Sequence, residues 1–132
     1  FKPGTKYNYT NSGYTLLGRI IEVASGKSYY HYLLESVIQK AGLKNTFFAK
    51  EDTVISKRVS DYTKNRGFYD KPEYFSISIA YGCGDLLSNA EDLFKWNTAL
   101  LNGNIIKKET LEKAFTPFKL TGGKYTNYGY SP

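Results

Sequence analysis

The chain has 132 residues, 41% of them hydrophobic and 23% charged, a balance that supports a packed core and argues against disorder. One cysteine, Cys83, excludes an internal disulfide framework and a Cys-based zinc cluster, and one histidine, His31, excludes any chain-internal Ser-His-Asp triad that does not use it. No apolar run approaches the roughly 18 residues of a membrane span, and the net charge of +6 is spread so that never more than two basic residues adjoin (Lys57-Arg58, Lys107-Lys108), which argues against a nucleic-acid-binding stripe.

Phe1-Lys2-Pro3-Gly4-Thr5 has no apolar signal-peptide core. The chain contains no methionine, and the expectation is an internal segment of a longer protein. The first predicted helix covers residues 12–24. Leu16, Leu17, Ile20, Ile21 and Ala24 recur at helical spacing, with Asn11 or Ser12 as the N-cap and Gly26 as the residue that ends it. Gly13 and Gly18 each cost about 1 kcal/mol of helix propensity against alanine. Their presence predicts a close backbone approach to a neighbouring element.

A second helix is expected over residues 28–41, capped by Ser28 and stopped by Gly42, with Tyr29, Tyr32, Leu33, Val37 and Ala41 as its stripe. Residues 43–80 read as a loop-rich insert. Leu43–Phe48 is extended, Lys64-Asn65-Arg66-Gly67 is a turn, and Phe68–Ile79 holds short strands, which together suggest a hairpin. Ser88-Asn89-Ala90-Glu91 has the form of a capping box. It opens a helix over residues 89–101, marked by Leu93, Trp96, Leu100 and Leu101 and ended by Asn102-Gly103. A fourth helix, 108–115, carries Leu111, Ala114 and Phe115, and Pro117 stops it. Gly122-Gly123 is a turn before a final strand over Tyr125–Tyr130.

The sum is a single partial domain, 1–132, mainly α with small β elements. Its apolar helix faces exceed what two helical hairpins cover, so a further layer is expected against them. The 13 tyrosines and 8 phenylalanines are spread through the whole chain. That distribution suits core and rim packing better than a dedicated sugar- or peptide-binding surface.

The N-terminal stretch Pro3-Gly4-Thr5-x-Tyr7-x-Tyr9-Thr10-Asn11-Ser12-Gly13-Tyr14-x-Leu16-Leu17-Gly18 resembles the serine β-lactamase and penicillin-binding-protein superfamily. The likeness is to the branch of class C β-lactamases, D-alanyl-D-alanine carboxypeptidases and related esterases. It extends through Gly26-Lys27-Ser28-Tyr29, Gly42-Leu43-Lys44-Asn45-Thr46, Gly82–Leu93, Leu100–Gly103 and Tyr128-Gly129-Tyr130. The resemblance implies the helical subdomain of the β-lactamase/transpeptidase-like α+β fold, lacking most of its antiparallel sheet.

By that resemblance Tyr9-Thr10-Asn11 is the family's Tyr-x-Asn motif. Tyr9 is then the expected proton-transfer residue. Asn11 is expected to hydrogen-bond a lysine and the substrate amide, since a carboxamide both donates and accepts. The family's other two elements are a Ser-x-x-Lys motif and a Lys/His-x-Gly strand. No serine of this chain has a lysine three residues on, and Gly122-Gly123-Lys124-Tyr125 has the wrong order for the strand motif. An isolated phenol titrates near about pH 10, so it needs neighbouring cations to serve as a base at neutral pH.

Tyr9 and Asn11 also have a plain reading, as an ordinary aromatic and a helix N-cap. His31 reads as a partly exposed helix residue, Cys83 as a small buried hydrophobe and Asp85 as a turn former. The resemblance implies a parent that is a serine acyl-transfer hydrolase acting on a β-lactam, a D-Ala-D-Ala peptide or an ester, in the periplasm or outside the cell. No cofactor is expected. This chain alone is expected to be inactive, without a membrane span or nucleic-acid partner, and prone to self-association. The competing expectation is a non-catalytic penicillin- or peptidoglycan-binding module on the same scaffold.

Overall fold

The computed structural model describes residues 1–130. Helix α1 runs Asn11–Ser25, and Gly26 ends it at φ 69°, donating its N–H to the Glu22 carbonyl. Its N-cap is Thr10, not Asn11 or Ser12: Thr10 is extended (φ −150°, ψ 133°) and its hydroxyl accepts from the Ser12 N–H. Helix α2 is shorter than its apolar stripe suggests. Regular α geometry covers Tyr29–Leu33 and gives way to a π turn over Leu34–Ile38. The Gln39 and Leu43 N–H groups reach back five residues, to Leu34 and Ile38. The extra residue in that turn shifts the buried register, so Ile38 lies in the core while Tyr32 is exposed.

The insert holds strand β1, Phe47–Phe48, and a hairpin of β2, Thr63–Asn65, and β3, Phe68–Asp70. Arg66 (φ 47°) and Gly67 (φ 92°) turn the hairpin. Positive φ at both central positions defines the turn that matches strand twist. Every residue of the hairpin strands is exposed. A 3-10 turn, Ile77–Ala80, leads to β4, Leu86–Leu87, which pairs antiparallel with β1 in the register Phe47↔Leu87, Phe48↔Leu86. Helices α3, Ala90–Leu101, and α4, Lys108–Phe115, follow.

The capping box before α3 does not form. The helix starts one residue later, so Asn89 is the cap and accepts from the Asp92 N–H at 2.9 Å. Ser88 instead meets the Thr46 hydroxyl at 2.9 Å, and Glu91 pairs with Lys95. Asp92 is fully buried and accepts from the Asn45 N–H at 2.6 Å and the Thr46 hydroxyl at 3.0 Å. One carboxylate thus ties the turn before β1 to the first turn of α3.

The core is small: Tyr29, Ile38, Ala49, Ala80, Ala99 and Leu111 are its buried apolar residues. Around it Tyr29, Tyr30, Phe48 and Tyr81 form an aromatic cluster, with ring centroids 5.1 Å apart for Tyr29–Tyr81 and 4.6 Å for Tyr30–Phe48. Burial, with the nearby Asp85 charge second, pushes the Tyr29 phenol up to about 12. Residues 118–130 form a terminal loop. The expected strand from Tyr125 is reduced, among the described residues, to one antiparallel bridge between Lys119 and Tyr125. Thr121 donates its N–H to the Gly4 carbonyl at 2.9 Å, so the two ends of the described chain lie together.

The accessible surface is 10497 Å² for 15.0 kDa. A compact monomer of that mass exposes about 7000 Å². Exposed apolar side chains contribute to the excess: Leu16, Leu17, Ile20 and Val23 of α1 and Leu93, Phe94 and Leu101 of α3 all stand in solvent.

Candidate functional site

Tyr9 and Asn11 flank Thr10, whose backbone is extended and which precedes the first turn of α1. Thr10 uses its hydroxyl to cap α1. Asn11, the first helical residue, is therefore released from capping, and its side chain is exposed. Asn11 as an N-cap is ruled out by this geometry. Tyr9 is 52% exposed, with its ring on the outside of the molecule rather than in the core.

Three other tyrosines gather at this point. The Tyr9 ring lies 6.1 Å from Tyr14 of α1 and 6.0 Å from Tyr128 of the terminal loop, the latter edge-on at 64°. Tyr7 packs on the other side of Tyr128 at 5.4 Å. The Tyr14 and Tyr128 hydroxyls are 3.1 Å apart, and Tyr14 donates to the Tyr130 carbonyl at 2.7 Å. The Tyr7 phenol is pushed up by desolvation and then by Tyr128 and Tyr9. The Tyr128 phenol is pushed up first by its bond to Tyr14. Sequence reading did not single out Tyr14 and Tyr128, because the contact joins residues 114 positions apart.

The cations near aromatic rings are Lys50, over Tyr30, and Lys119, over Tyr125; neither sits at Tyr9. The other singled-out residues lie elsewhere. His31 is on the exposed side of α2 and pairs with Glu35 at 3.0 Å, which also binds Lys27. Cys83 is a half-buried free thiol in the loop packed on α1. Asp85 is buried beside Tyr29 and Tyr30, more than a turn former requires, and its Oδ2 has no protein partner among the described residues. Among the described residues no group of three or more His, Cys, Asp or Glu side chains converges as a metal site, and no helix is long and apolar enough to cross a membrane.

What these residues present is an exposed phenol two positions before an exposed carboxamide at the start of α1. Known proteins with the same arrangement of chain identify its class. Residues 1–131 match the beta-lactamase family, and the chain belongs to it. A penicillin-binding protein of Bacillus subtilis (strain 168) is 30% identical over 148 residues, covering 98% of this chain and 32% of that protein. The crystal structure of a penicillin binding protein from Bacillus halodurans superposes with a TM-score of 0.77 at 27% identity, over 98% of this chain and 40% of that one. A D-amino acid amidase from Ochrobactrum anthropi SV3, solved in complex with D-phenylalanine, gives a TM-score of 0.71 at 27% identity, over 85% of this chain and 37% of that one. The chain thus spans about a third of the length of the relatives it matches.

Proposed function

We propose that this chain is the helical lobe of a serine acyl-transfer hydrolase whose nucleophile lies on polypeptide outside it. The observation that carries the reading is the division of labour at Tyr9-Thr10-Asn11. Thr10 does the structural work of the helix cap, so the plain account of Asn11 as a cap fails. Asn11 is left exposed and free of the capping task, and Tyr9, two positions before it, keeps about half of its surface in solvent.

In this reading Tyr9 passes a proton between the nucleophile and the leaving group. The cations that make a phenol competent for this at neutral pH come from the rest of the protein, since a phenol alone is too weakly acidic. Asn11 orients the substrate amide and the partner lysine through its paired donor and acceptor. The excess surface supports the same reading: Leu16, Leu17, Ile20 and Val23 form the face on which the missing sheet layer docks. The proposed substrates are small acyl compounds, a β-lactam, a D-Ala-D-Ala peptide or an ester. The proposed location is the periplasm or the cell exterior.

The test is turnover of a chromogenic β-lactam and a chromogenic ester by the full-length protein, beside its Tyr9→Phe and Asn11→Ala variants. Loss of a proton-transfer group costs about 10²–10⁴-fold. Equal rates for wild type and Tyr9→Phe remove Tyr9 from the mechanism. Penicillin binding without turnover by the wild type supports a non-catalytic module instead.

A further inference from the structure

We propose that Tyr14 and Tyr128 are positioning residues for the Tyr9 phenol, so that the terminal loop, remote from Tyr9 in sequence, sets the geometry of the candidate site. The proposal rests on the reading that Tyr9 moves a proton.

The rings come first. Tyr14 and Tyr128 flank the Tyr9 ring at 6.1 and 6.0 Å, tilted and edge-on respectively. Both separations lie in the range where aromatic pairs attract through their quadrupoles. An exposed tyrosine with two free side-chain torsions otherwise samples several rotamers. Two neighbouring rings limit that freedom.

The hydroxyls fix the walls in turn. A phenol carries one proton. The Tyr130 carbonyl only accepts, so the Tyr14 proton goes there at 2.7 Å. The 3.1 Å contact between Tyr14 and Tyr128 must then use the Tyr128 proton. The chain of donation runs from Tyr128 to Tyr14 to the Tyr130 carbonyl, and it has one direction. It leaves the Tyr128 oxygen with free lone pairs in the tyrosine cluster.

The loop itself is anchored to α4. The Tyr130 N–H donates to the Ala114 carbonyl at 2.9 Å, and the Thr126 hydroxyl donates to the Tyr128 carbonyl at 2.6 Å. Gly129 passes so close to α4 that a Cβ there would lie 2.2 Å from the Ala114 oxygen. The Tyr128 ring therefore cannot drift without breaking contacts at α4. Proton transfer is steep in geometry, and a displacement of about 1 Å can cost about 100-fold in rate.

The experiment uses the full-length protein labelled with ¹³Cζ-tyrosine, with the Tyr9 resonance assigned through Tyr9→Phe. Tyr14→Phe, Tyr128→Phe, the double variant and Tyr128→Leu are compared with wild type. The phenylalanine variants keep the packed rings, and melting temperature verifies the fold. In each single phenylalanine variant the Tyr9 resonance should move, kcat should fall about tenfold, and KM should hold. The double variant should be no worse than Tyr14→Phe, because loss of the Tyr14 hydroxyl already removes both hydrogen bonds. Tyr128→Leu should cost more. A Tyr9 resonance identical to wild type in every variant overturns the proposal, whatever happens to turnover. If Tyr9→Phe itself turns over like wild type, the proton-transfer reading falls while the resonance still decides the positioning.

Discussion

Gly18 of α1 and Tyr81 of the loop before β4 meet so closely that a Cβ on Gly18 would lie 2.9 Å from the Tyr81 ring. The Tyr81 hydroxyl is buried, and the ring is packed against Tyr29 at 5.1 Å. There is little room for it to retreat. Gly18→Ala should therefore destabilise by about 1–3 kcal/mol through overpacking, despite a propensity gain of about 1 kcal/mol. Gly13→Ala is the control. Its added Cβ meets only Thr10 Cγ2 at 3.8 Å, an ordinary contact. That variant should be neutral or up to about 1 kcal/mol more stable. Urea unfolding of the pair checks the contrast. Equal effects would remove the Tyr81 contact as the reason for the glycine.

Thr10 and Asn11 separate stability from activity. Thr10→Ala removes the α1 cap and should cost about 1 kcal/mol. Asn11→Ala trims an exposed side chain that does not cap α1. It should leave the urea midpoint nearly unchanged while abolishing most turnover in the full-length protein. A large stability loss for Asn11→Ala with normal turnover would reverse the assignment.

The readability of the sequence followed the range of each interaction. Gly26 and Gly42 both adopt positive φ, and local chemistry alone marks them as stops. The hairpin turn at Arg66-Gly67 was equally local. Ser88 misled because its hydroxyl has a competitor that no nearby residue reveals, the Thr46 side chain 42 positions away. Ile38 was hidden by the π turn, which inserts a residue into a stripe that 3.6 periodicity assigns to Val37. At the candidate site, Tyr9 and Asn11 stand out only through the family resemblance, and their roles are the proposal made above. Thr10 as the cap was not legible, since three adjacent residues are all good caps. The Tyr14–Tyr128 contact was beyond any local rule.

Asp92 makes acid stability predictable in sign. Desolvation pushes its carboxyl up, but the Asn45 backbone N–H, the Thr46 hydroxyl, the Lys44 backbone and Lys95 together hold it below the usual carboxylate range. A carboxyl lowered in the folded state stabilises above its unfolded value, near 3.8, and that contribution is lost as pH falls through the folded value. Wild type should thus lose melting temperature below about pH 4. Asp92→Ala should melt lower at pH 7 and show a shallower acid limb, because one proton-linked contact is gone. Circular dichroism melts from pH 7 to 2 measure both slopes. Parallel acid limbs would show that other carboxyls govern the transition.

The exposed face of α1 gives opposite expectations in two contexts. Leu16, Leu17, Ile20 and Val23 lie between 52% and 76% exposed, on one stripe of one helix. Burying a side chain of this size contributes about 1.5–3 kcal/mol. In this chain alone the stripe has nothing to bury against, so copies should associate as concentration rises, and Ile20→Lys with Val23→Glu should restore a monomer in light scattering. In the full-length protein the proposed sheet layer covers the stripe. There the same double substitution places two charges in an apolar contact and should lower stability by several kcal/mol. Charge at a true surface helix would be harmless in both settings. A double variant as stable as wild type in the full-length protein would therefore show that no layer covers α1, and would remove the surface argument for a larger fold while leaving the Tyr9 and Asn11 geometry untouched.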